Sequence, residues 1–485
     1  MTSTTIRRIL VGLCAMALAG TAVLARPAAH AASRQDRTAR VDALFARWTT
    51  STPGCAVGVG QGGQVVLARA YGMADLERDV PNTPDTIFEA GSVSKQFTAA
   101  AVLALVDDGR LTLDDPVRQY VPELPDYGTP LTIRHMLTHT SGLRDWGSLA
   151  SISGWPRGDR RHTHAHVVDI LSRQRALNFA PGTRWSYSNS GYNLAAVIVA
   201  RVSGMSFAEF SHARLFEPLG LTSTSWRDDY TRIVPKRAVA YAAGRGGGPF
   251  RLNMPFEDVH GNGGLLTTVG DLVRWNEHYD NPPPGAAARV ARQHEAAVLT
   301  GGQTLEYAYG IYVRPYKGVR EVSHSGSTAG YRAFLTRFPG ERLSVAVLCN
   351  AASANPTQLA HAVADLYLGA RANPDAPAPS PVAETRGPTS GLARDAAFKP
   401  TASDLAAYAG TYTSDEVETT LTVEVRDGGL VITGRPDRVI RLQPHSGDRF
   451  DAAGLGLVTF HRAGGRVTAF GVTQDRVWDL RFTRQ

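Results

Sequence analysis

The stretch "EAGSVSKQFTAA", from Glu89 to Ala100, decides how the rest of the chain is interpreted. Ser92 and Lys95 stand three positions apart, and the residues after them are apolar enough to predict a buried helix that ends at Gly109. Positions i and i+3 share one face of a helix, so Lys95 can reach the Ser92 hydroxyl. The pair is either a nucleophile with its base or only the polar start of a hydrophobic helix.

The case for chemistry is physical. A serine hydroxyl needs a neighbouring base before it attacks, and burial makes a lysine easier to deprotonate. A helix N-terminus also favours the negative charge of an oxyanion. A serine at a helix start needs no further function, however, and a single short motif is only a hypothesis. The motif by itself leaves both interpretations open.

Two later motifs carry side chains of the same chemistry. "WSYSNSGYN" (185–193) places Tyr187 and Asn189 at i and i+2 ahead of a helix, where one can move a proton while the other binds an amide. "EVSHSGSTAGY" (321–331) places His324, Ser325 and Gly326 at the end of a predicted strand. Each also fits a structural interpretation, an N-capped turn in the first and a strand-to-turn transition in the second.

In this order the motifs resemble those of the serine β-lactamase and penicillin-binding-protein superfamily. The similarity extends to "LTIRHMLTHTSGL" (131–143) and "GNGGLLTTVGDLVRW" (261–275), and it covers roughly residues 41–368. Tyr-x-Asn is typical of the branch that holds class C β-lactamases, DD-peptidases, D-aminopeptidases and esterases. The resemblance implies an acyl-enzyme reaction that uses no metal and no cofactor.

The resemblance also implies a role for each residue. Ser92 is acylated, Lys95 and Tyr187 transfer protons, and Tyr187 passes one to the leaving group. The substrate is bound by Asn189, His324, Ser325 and Gly326, and the backbone N–H groups of Ser92 and Ser327 form the oxyanion hole. Many β-lactamases of this branch have a lysine at the place of His324. A histidine is mostly neutral and suits a substrate carboxylate less well, which argues against strong β-lactamase activity.

We therefore predict a serine hydrolase that cleaves an amide or ester, such as a D-amino-acid peptide or a small ester. The alternatives are a true β-lactamase or DD-carboxypeptidase, and an inert protein that binds the cell wall. No G-x-S-x-G motif indicates an α/β-hydrolase. No run of basic and aromatic residues indicates nucleic-acid binding, so the expected partner is a small-molecule or peptide acyl substrate. The oligomeric state is left open.

The order of elements predicts an α+β fold. A hairpin precedes many helices, and three strands and a last helix follow, which is typical of an antiparallel sheet built from both ends of a domain and flanked by helices. This hydrolase domain is expected over residues 32–370. Residues 371–402 are rich in Pro and Ala, as in a linker. Residues 403–485 contain short strands and turns, which predict a small antiparallel barrel or sandwich.

The first 31 residues are typical of a secretory signal. A charged pair, Arg7 and Arg8, precedes an apolar stretch that is short for a membrane span, and an A-x-A site ends at Ala31. Cleavage after Ala31 through the Sec route predicts a secreted or periplasmic protein without a stable membrane span. A retained anchor is the alternative. Cleavage would also remove three arginines, a small change to the formal net charge of +7.

The cleaved chain would keep two cysteines, Cys55 and Cys349. The resemblance places them on neighbouring strands of the sheet. A disulfide and two buried thiols are both compatible with that placement. We slightly favour thiols, because free cysteine packs well in protein cores.

The run "HTHAH" contains His162, His164 and His166 at alternating positions, a spacing that binds zinc when a strand presents it. A helical pattern follows the run, and the Asp of a metallo-hydrolase motif is missing. We interpret the run as an exposed helix start. His139 in "HTSGL" is assigned to the scaffold rather than to the site.

Overall fold

The computed structural model describes residues 35–373, 375–376 and 392–485. The predicted signal segment, residues 1–31, lies outside the described residues, as does part of the predicted linker. The described residues form a mixed body of helices and sheet followed by a closed β-barrel. The predicted α+β class is confirmed, and of the two predicted C-terminal folds the barrel is the one observed.

Eleven helices are found among the described residues. They are α1 (35–44), α2 (Ser94–Asp107), α3 (Ile133–Leu137), α4 (Trp146–Ile152), α5 (His164–Ser172), α6 (Asn189–Ser203), α7 (Phe207–Ser211), α8 (Val269–Asp280), α9 (Ala287–Gln293), α10 (Pro356–Leu368) and α11 (Ala402–Tyr408). Among the described residues no single helix combines the length and apolar character needed to cross a membrane. One bent pair, α6 with Phe207–Phe216, passes that test by length and composition only.

The strands fall into a main sheet, a barrel and short pairings. Before the barrel they are β1 (Cys55–Gln61), β2 (Gln64–Tyr71), β3 (Met73–Asp75), β4 (Val80–Pro81), β5 (Phe88–Glu89), β6 (Ser225–Trp226), β7 (Tyr241–Ala242), β8 (Arg251–Leu252), β9 (Leu265–Thr267), β10 (Tyr312–Tyr316), β11 (Val319–Thr328), β12 (Tyr331–Phe338) and β13 (Leu343–Cys349). The main sheet is antiparallel in the order β10-β11-β12-β13-β1-β2. The early hairpin therefore pairs with the late strands, as the sequence predicts.

The two faces of the main sheet bury different helices. Successive side chains along a strand point to opposite faces of the sheet. In β1, Val57 and Val59 lie on the face that packs against α1 and α10. Gly58 faces α8 instead, where a Cβ atom would lie only 3.1 Å from the side chain of Val269. The small residue lets α8 approach the sheet closely.

A disulfide joins Cys55 to Cys349 across the pair β1–β13. The two residues are direct partners in the register, with their Cα atoms 4.0 Å apart. Our preference for two free thiols is therefore wrong, although the placement on neighbouring strands is confirmed. Packing alone could not decide the question, because both forms of cysteine are buried in protein cores.

Helix α2 is the buried axis of the hydrolase body. Twelve of its fourteen residues are buried, and Phe97 stacks on Trp275 of α8 with ring centres 3.9 Å apart. The helix ends before Gly109, which has a φ of +67° as a left-handed stop requires. A helix fixed on all sides holds the residues at its N-terminus rigidly.

The C-terminal barrel closes on itself through the pairing of its first and last strands. Its strands are β14 (Gly410–Ser414), β15 (Thr419–Arg426), β16 (Gly429–Gly434), β17 (Arg438–Ser446), β18 (Arg449–Ala452), β19 (Gly456–Ala463), β20 (Arg466–Gln474) and β21 (Val477–Arg484). Rings of Phe460, Phe470 and Phe482 pack together in its core, with Tyr408 of α11 against Phe460. Aromatic side chains thus fill the interior.

Candidate active site

Ser92 lies in a short turn, Gly91–Val93, that leads directly into α2. Gly91 and Val93 are buried, whereas Ser92 is half-buried and lines a cleft of about 510 Å³. The sequence placed Ser92 at the first turn of the helix, and the structure has a 3₁₀ turn there. The tighter turn gives the hydroxyl access to the cleft while its neighbours remain in the core.

Lys95 is fully buried, and its Nζ lies within hydrogen-bond distance of three oxygen atoms. Its Nζ lies 3.2 Å from the Ser92 Oγ, 2.9 Å from the Asn189 Oδ1 and 2.7 Å from the carbonyl oxygen of Asn262. Burial lowers the pKa of Lys95 well below its usual value, and the nearby charge of Arg476 lowers it further. A neutral amine in this place keeps two N–H donors for the asparagines and turns its lone pair toward Ser92.

Tyr187 and Asn189 approach Lys95 from the start of α6, whose first residue is Asn189. The Nζ of Lys95 lies 4.8 Å from the centre of the Tyr187 ring. Burial raises the pKa of Tyr187, and the adjacent Ser92 hydroxyl only partly opposes this. Tyr187 therefore keeps its proton near neutral pH, as a proton donor must. The backbone N–H of Asn189 donates to Asp145 Oδ2 at 2.8 Å, which fixes the start of the helix.

The backbone N–H groups of Ser92 and Ser327 are brought together by two glycines. A Cβ on Gly91 would lie 2.6 Å from the amide nitrogen of Ser327, and a Cβ on Gly326 would lie 3.1 Å from that of Ser92. A side chain on Gly326 would also collide with the carbonyl oxygen of Ala90. Strand β11 can thus pass beside the Ser92 turn only because both residues lack side chains. The backbones of Ser92 and Ser327 therefore lie side by side at the cleft, where the predicted oxyanion hole requires them.

His324 lines the cleft as predicted, although its side chain is almost fully buried in the wall. The residue is only 2% exposed, whereas Ser325 and Ser327 on the opposite face of β11 are exposed. Its Nδ1 donates to the carbonyl oxygen of Ser325 at 2.6 Å, and its Nε2 lies 3.2 Å from the hydroxyl of Tyr307. Burial, with the charge of Lys95, lowers the pKa of His324 to about 3. The imidazole is neutral and both of its nitrogens are occupied.

A chain of hydrogen bonds links His324 to His139. The N–H of Ser188 donates to His139 Nδ1 at 3.2 Å, so the other nitrogen of this neutral ring carries the proton and donates to Tyr307, 3.1 Å away. Tyr307 can then donate only to His324. Burial lowers the pKa of His139 well below its usual value. Its ring also lies 4.2 Å from that of Tyr187, so His139 belongs to the surroundings of the site and not to a remote scaffold.

Several residues of the site were not identified in the sequence. Asn262 anchors Lys95 through its carbonyl group, Asp145 holds the backbone of Asn189, and Tyr307 connects two histidines. Their positions follow from long-range packing, since Lys95 and Asn262 are 167 positions apart. The only available signal was the run "GNGG" around Asn262, which places a polar residue among glycines.

The barrel also contributes to the cleft. Arg476, in the turn between β20 and β21, lines the cleft together with Ser92 and Tyr187. Its carbonyl oxygen accepts hydrogen bonds from the N–H of Asp145 at 3.1 Å and from Asn178 at 3.0 Å. The two domains are further joined by Arg144 and Glu416, whose buried side chains lie 2.8 Å apart.

The three histidines of "HTHAH" have separate structural roles. His162 lies 3.2 Å from the carbonyl oxygen of Trp155, His164 lies 2.9 Å from that of His260, and His166 caps the start of α5. Within the described ranges no group of three or more His, Cys, Asp or Glu side chains is arranged to hold a metal ion.

Comparison with known proteins decides the family. Residues 38–370 match the family model described as Beta-lactamase. The chain belongs to the β-lactamase family of serine hydrolases. Residues 394–485 match a model described as a domain of unknown function, DUF3471. The recognised resemblance and the α+β fold are thereby confirmed.

Individual relatives match part of the chain. The chain is 32% identical over 320 residues to a D-aminopeptidase of Gluconobacter oxydans, a match that covers 65% of this chain and 59% of that protein. It is 30% identical over 306 residues to penicillin-binding protein 4* of Bacillus subtilis, covering 60% and 66% of the two chains. The chain thus spans less than two thirds of the length of either relative.

A solved structure resembles the whole chain. The octameric penicillin-binding protein homologue from Pyrococcus abyssi superposes with a TM-score of 0.61 at 24% identity. The match covers 94% of this chain and all of that one. This likeness concerns the fold.

Proposed function

We propose that this protein is an exported hydrolase that cleaves an amide or ester bond through an acyl-enzyme formed on Ser92. One observation carries the proposal. The buried Nζ of Lys95 lies 3.2 Å from the Ser92 Oγ and is held there by Asn189 and Asn262. A base in this position turns a weak nucleophile into an effective one.

Acylation uses the groups that surround Ser92. The neutral amine of Lys95 takes the hydroxyl proton as Ser92 Oγ bonds to the carbonyl carbon of the substrate. The carbonyl oxygen gains the negative charge and is stabilised by the N–H groups of Ser92 and Ser327. The bond to the leaving group then breaks, and Tyr187 supplies the proton that this group needs. Lys95 returns its proton to Tyr187 directly or through water.

Deacylation repeats these steps with water as the nucleophile. The neutral amine of Lys95, directly or through Tyr187, takes a proton from water as the water oxygen bonds to the acyl carbon, and the same pair of N–H groups stabilises the resulting oxyanion. The bond to Ser92 Oγ then breaks, and Oγ takes this proton and leaves as a hydroxyl. Asn189 remains hydrogen-bonded to Lys95 and can present its amide to the acyl group. No step requires His324 to gain or lose a proton, which agrees with its occupied nitrogens.

The names of the relatives support a D-amino-acid peptide or amide as substrate. One relative is a D-aminopeptidase and another is a penicillin-binding protein. The cleft of about 510 Å³ suits a small molecule or a short peptide. Export rests on the amino-terminal residues 1–31, which have the charged, apolar and small-residue segments of a signal peptide.

The test is a substrate panel on purified protein and its Ser92→Ala and Lys95→Ala variants. The panel holds p-nitrophenyl esters, D-amino-acid anilides, D-Ala-D-Ala peptides and a chromogenic cephalosporin. We expect turnover by the parent, a loss of at least about 10³-fold in each variant, and a mass adduct on Ser92 with a fluorophosphonate, which phosphonylates the serine oxygen and releases fluoride. Full activity of Ser92→Ala, or an adduct elsewhere, would refute the mechanism.

A further inference from the structure

His139 lies in the turn that follows α3, and it holds the backbone on both sides of Tyr187. The N–H of Ser186 donates to the carbonyl oxygen of His139 at 3.0 Å, and the N–H of Ser188 donates to the His139 Nδ1 at 3.2 Å. The His139 ring also packs on the Tyr187 ring, with their centres 4.2 Å apart and an angle of 36° between their planes. One histidine therefore restrains both the backbone and the ring of Tyr187.

The backbone conformation of His139 is unusual for a residue with a side chain. Its φ is +60°, in the left-handed region that glycine adopts without strain. Hydrogen bonds hold the turn on each side of it. The Thr138 hydroxyl donates to the carbonyl oxygen of Arg134 at 2.8 Å, and the N–H of Thr140 donates to that of His135 at 2.9 Å. Strained conformations of this kind persist where the surrounding contacts impose them, and they cluster at functional sites.

Tyr307 determines which nitrogen of the His139 ring carries the proton. Because Nδ1 accepts from Ser188, the neutral ring carries its proton on Nε2, 3.1 Å from the Tyr307 hydroxyl. At the other end, the Nδ1 of His324 donates to the carbonyl oxygen of Ser325, so its Nε2 can only accept, and it accepts from Tyr307 at 3.2 Å. The hydroxyl thus accepts from one histidine and donates to the other. This order keeps the Nδ1 of His139 available as an acceptor.

His139 does not transfer a proton in the reaction itself. Its two nitrogens are occupied by Ser188 and Tyr307. Burial lowers the pKa of His139 well below its usual value, and the charge of Lys95 lowers it further, so the ring is neutral at neutral pH. The residue is only 1% exposed, which keeps it from contact with a substrate. Its effect on the reaction therefore passes through the tyrosine that it holds.

We propose that His139 is a positioning residue that fixes Tyr187 for proton transfer to the leaving group, and that Tyr307 keeps His139 in the tautomer this requires. A proton on Nδ1 would face the N–H of Ser188 and release the backbone next to Tyr187. General acid catalysis depends on such placement, because the donor has to lie within hydrogen-bond reach of the atom it protonates. The inference rests on the proposed acyl-enzyme function, in which Tyr187 supplies this proton.

The test compares two esters that form the same acetyl-enzyme. The leaving group of p-nitrophenyl acetate is a stable anion that needs little help from an acid, whereas the more basic phenolate of phenyl acetate leaves more readily as it gains a proton. The measured quantity is the kcat/KM for phenyl acetate divided by that for p-nitrophenyl acetate. Both values report acylation, and the fraction of active protein cancels in the ratio. A variant that is only less stable therefore keeps the ratio of the parent.

The variants remove the proton donor or one of its supports. Tyr187→Phe should show the full loss, a fall in the ratio of about 10²-fold. His139→Ala should lower the ratio by about 10-fold, because the acceptor for the N–H of Ser188 is gone and Tyr187 is misplaced. His139→Asn should keep most of the ratio, since its Oδ1 stands at the place of Nδ1 and asparagine tolerates a positive φ. Tyr307→Phe should lower the ratio by about 5-fold, the effect of one lost hydrogen bond.

The matched control is Tyr412→Phe, which should keep the ratio of the parent. It removes a buried hydroxyl that donates to the carbonyl oxygen of Tyr408 at 2.7 Å, beside the barrel core. Tyr307→Phe preserves the aromatic ring and so provides the test even where His139→Ala does not fold.

The outcomes separate this inference from the proposed function. An unchanged ratio in Tyr307→Phe and in every folded His139 variant, with a lowered ratio in Tyr187→Phe, overturns this inference alone. An equal loss in His139→Asn and His139→Ala also overturns it, because an acceptor at the place of Nδ1 would then have no effect. An unchanged ratio in Tyr187→Phe would refute proton transfer by Tyr187, and this inference with it. No acylation of the parent by either ester would refute the acyl-enzyme function as a whole.

Discussion

At the scale of single residues, the proposed reaction depends on the protonation of Lys95. Only the neutral amine accepts a proton, yet an ordinary lysine is charged at neutral pH. Burial is the main cause of the lowered pKa of Lys95, and the positive charge of Arg476 is the next. Asp145 acts in the opposite direction because its carboxylate favours the ammonium form. The pKa of Lys95 is thus adjusted by Arg476 of the barrel and by Asp145 and Arg157 of the hydrolase domain.

This arrangement predicts the pH dependence of the enzyme. The rate of acylation should rise with pH as Lys95 loses its proton, with a midpoint below the usual lysine pKa of 10.5. Arg476→Gln removes a repulsion that disfavours the ammonium form, so the pKa of Lys95 rises and the midpoint moves to higher pH. Profiles of kcat/KM against pH for a neutral ester measure the shift.

Two control variants accompany this experiment. One keeps the positive charge at position 476, and the other removes an arginine elsewhere in the barrel. Arg476→Lys should shift the midpoint less than Arg476→Gln, and Arg466→Gln should not shift it. A midpoint that is the same in Arg476→Gln and in the parent would show that the barrel charge does not act on Lys95.

At the scale of elements, the contact between β11 and the turn before α2 brings together the backbones of Ser92 and Ser327, the proposed oxyanion hole. This contact depends on Gly91 and Gly326, because a Cβ on either residue would enter the backbone of the other element. Gly91 also has a φ of +51°, which glycine adopts without strain. The strand and the helix bring the two N–H groups together, and neither element could form the site by itself.

Gly326→Ala should therefore remove catalysis while leaving the chain folded. The new methyl group collides with the carbonyl oxygen of Ala90 and pushes β11 away from Ser92. Loss of one oxyanion donor lowers kcat by about 10²- to 10³-fold, and we expect a loss of this size. Gly340→Ala is the matched control, because no atom lies within 4 Å of its added Cβ. Equal kcat values in the two variants, with unchanged circular dichroism, would contradict the assignment.

The elements also show which features the sequence could predict. Ser92 and Lys95 are neighbours on one helix turn, and the hairpin around Gly62-Gly63 is local, so periodicity and turn residues predicted both. Three other features depend on residues that are far apart in the chain, and local sequence patterns could not predict them. They are the close approach at Gly91 and Gly326, the hydrogen bond from Lys95 to the carbonyl of Asn262, and the link from His139 to His324. Alternating exposure along β11 could have shown that His324 and Ser325 face opposite sides. The register that decides which side is buried comes only from pairing with β12.

At the scale of the whole molecule, the barrel supplies one residue, Arg476, to the lining of the cleft beside Ser92. Aromatic side chains fill the interior of the barrel. The barrel contributes to the cleft through the turn that carries Arg476. Asn178 holds this turn at two points, the carbonyl of Arg476 and the N–H of Trp478. The docking of the barrel therefore determines where Arg476 lies.

The buried pair Arg144–Glu416 is the strongest candidate for holding the domains together. Both side chains are almost fully buried, and Arg144 also donates to the carbonyl oxygen of Trp478 at 3.1 Å. Removing one partner of a buried pair leaves an uncompensated charge and costs about 3–5 kcal/mol. Arg144→Met and Glu416→Leu should each destabilise the protein by this amount in urea unfolding. The double variant should lose less than the sum, because no unpaired charge remains.

The exposed pair Arg175–Asp415 crosses the same domain boundary and serves as the control. Its side chains are 73% and 82% exposed, so solvent screens the interaction and Arg175→Ala should change stability little. If Arg144→Met destabilised the protein no more than Arg175→Ala, the domains would be held by other contacts.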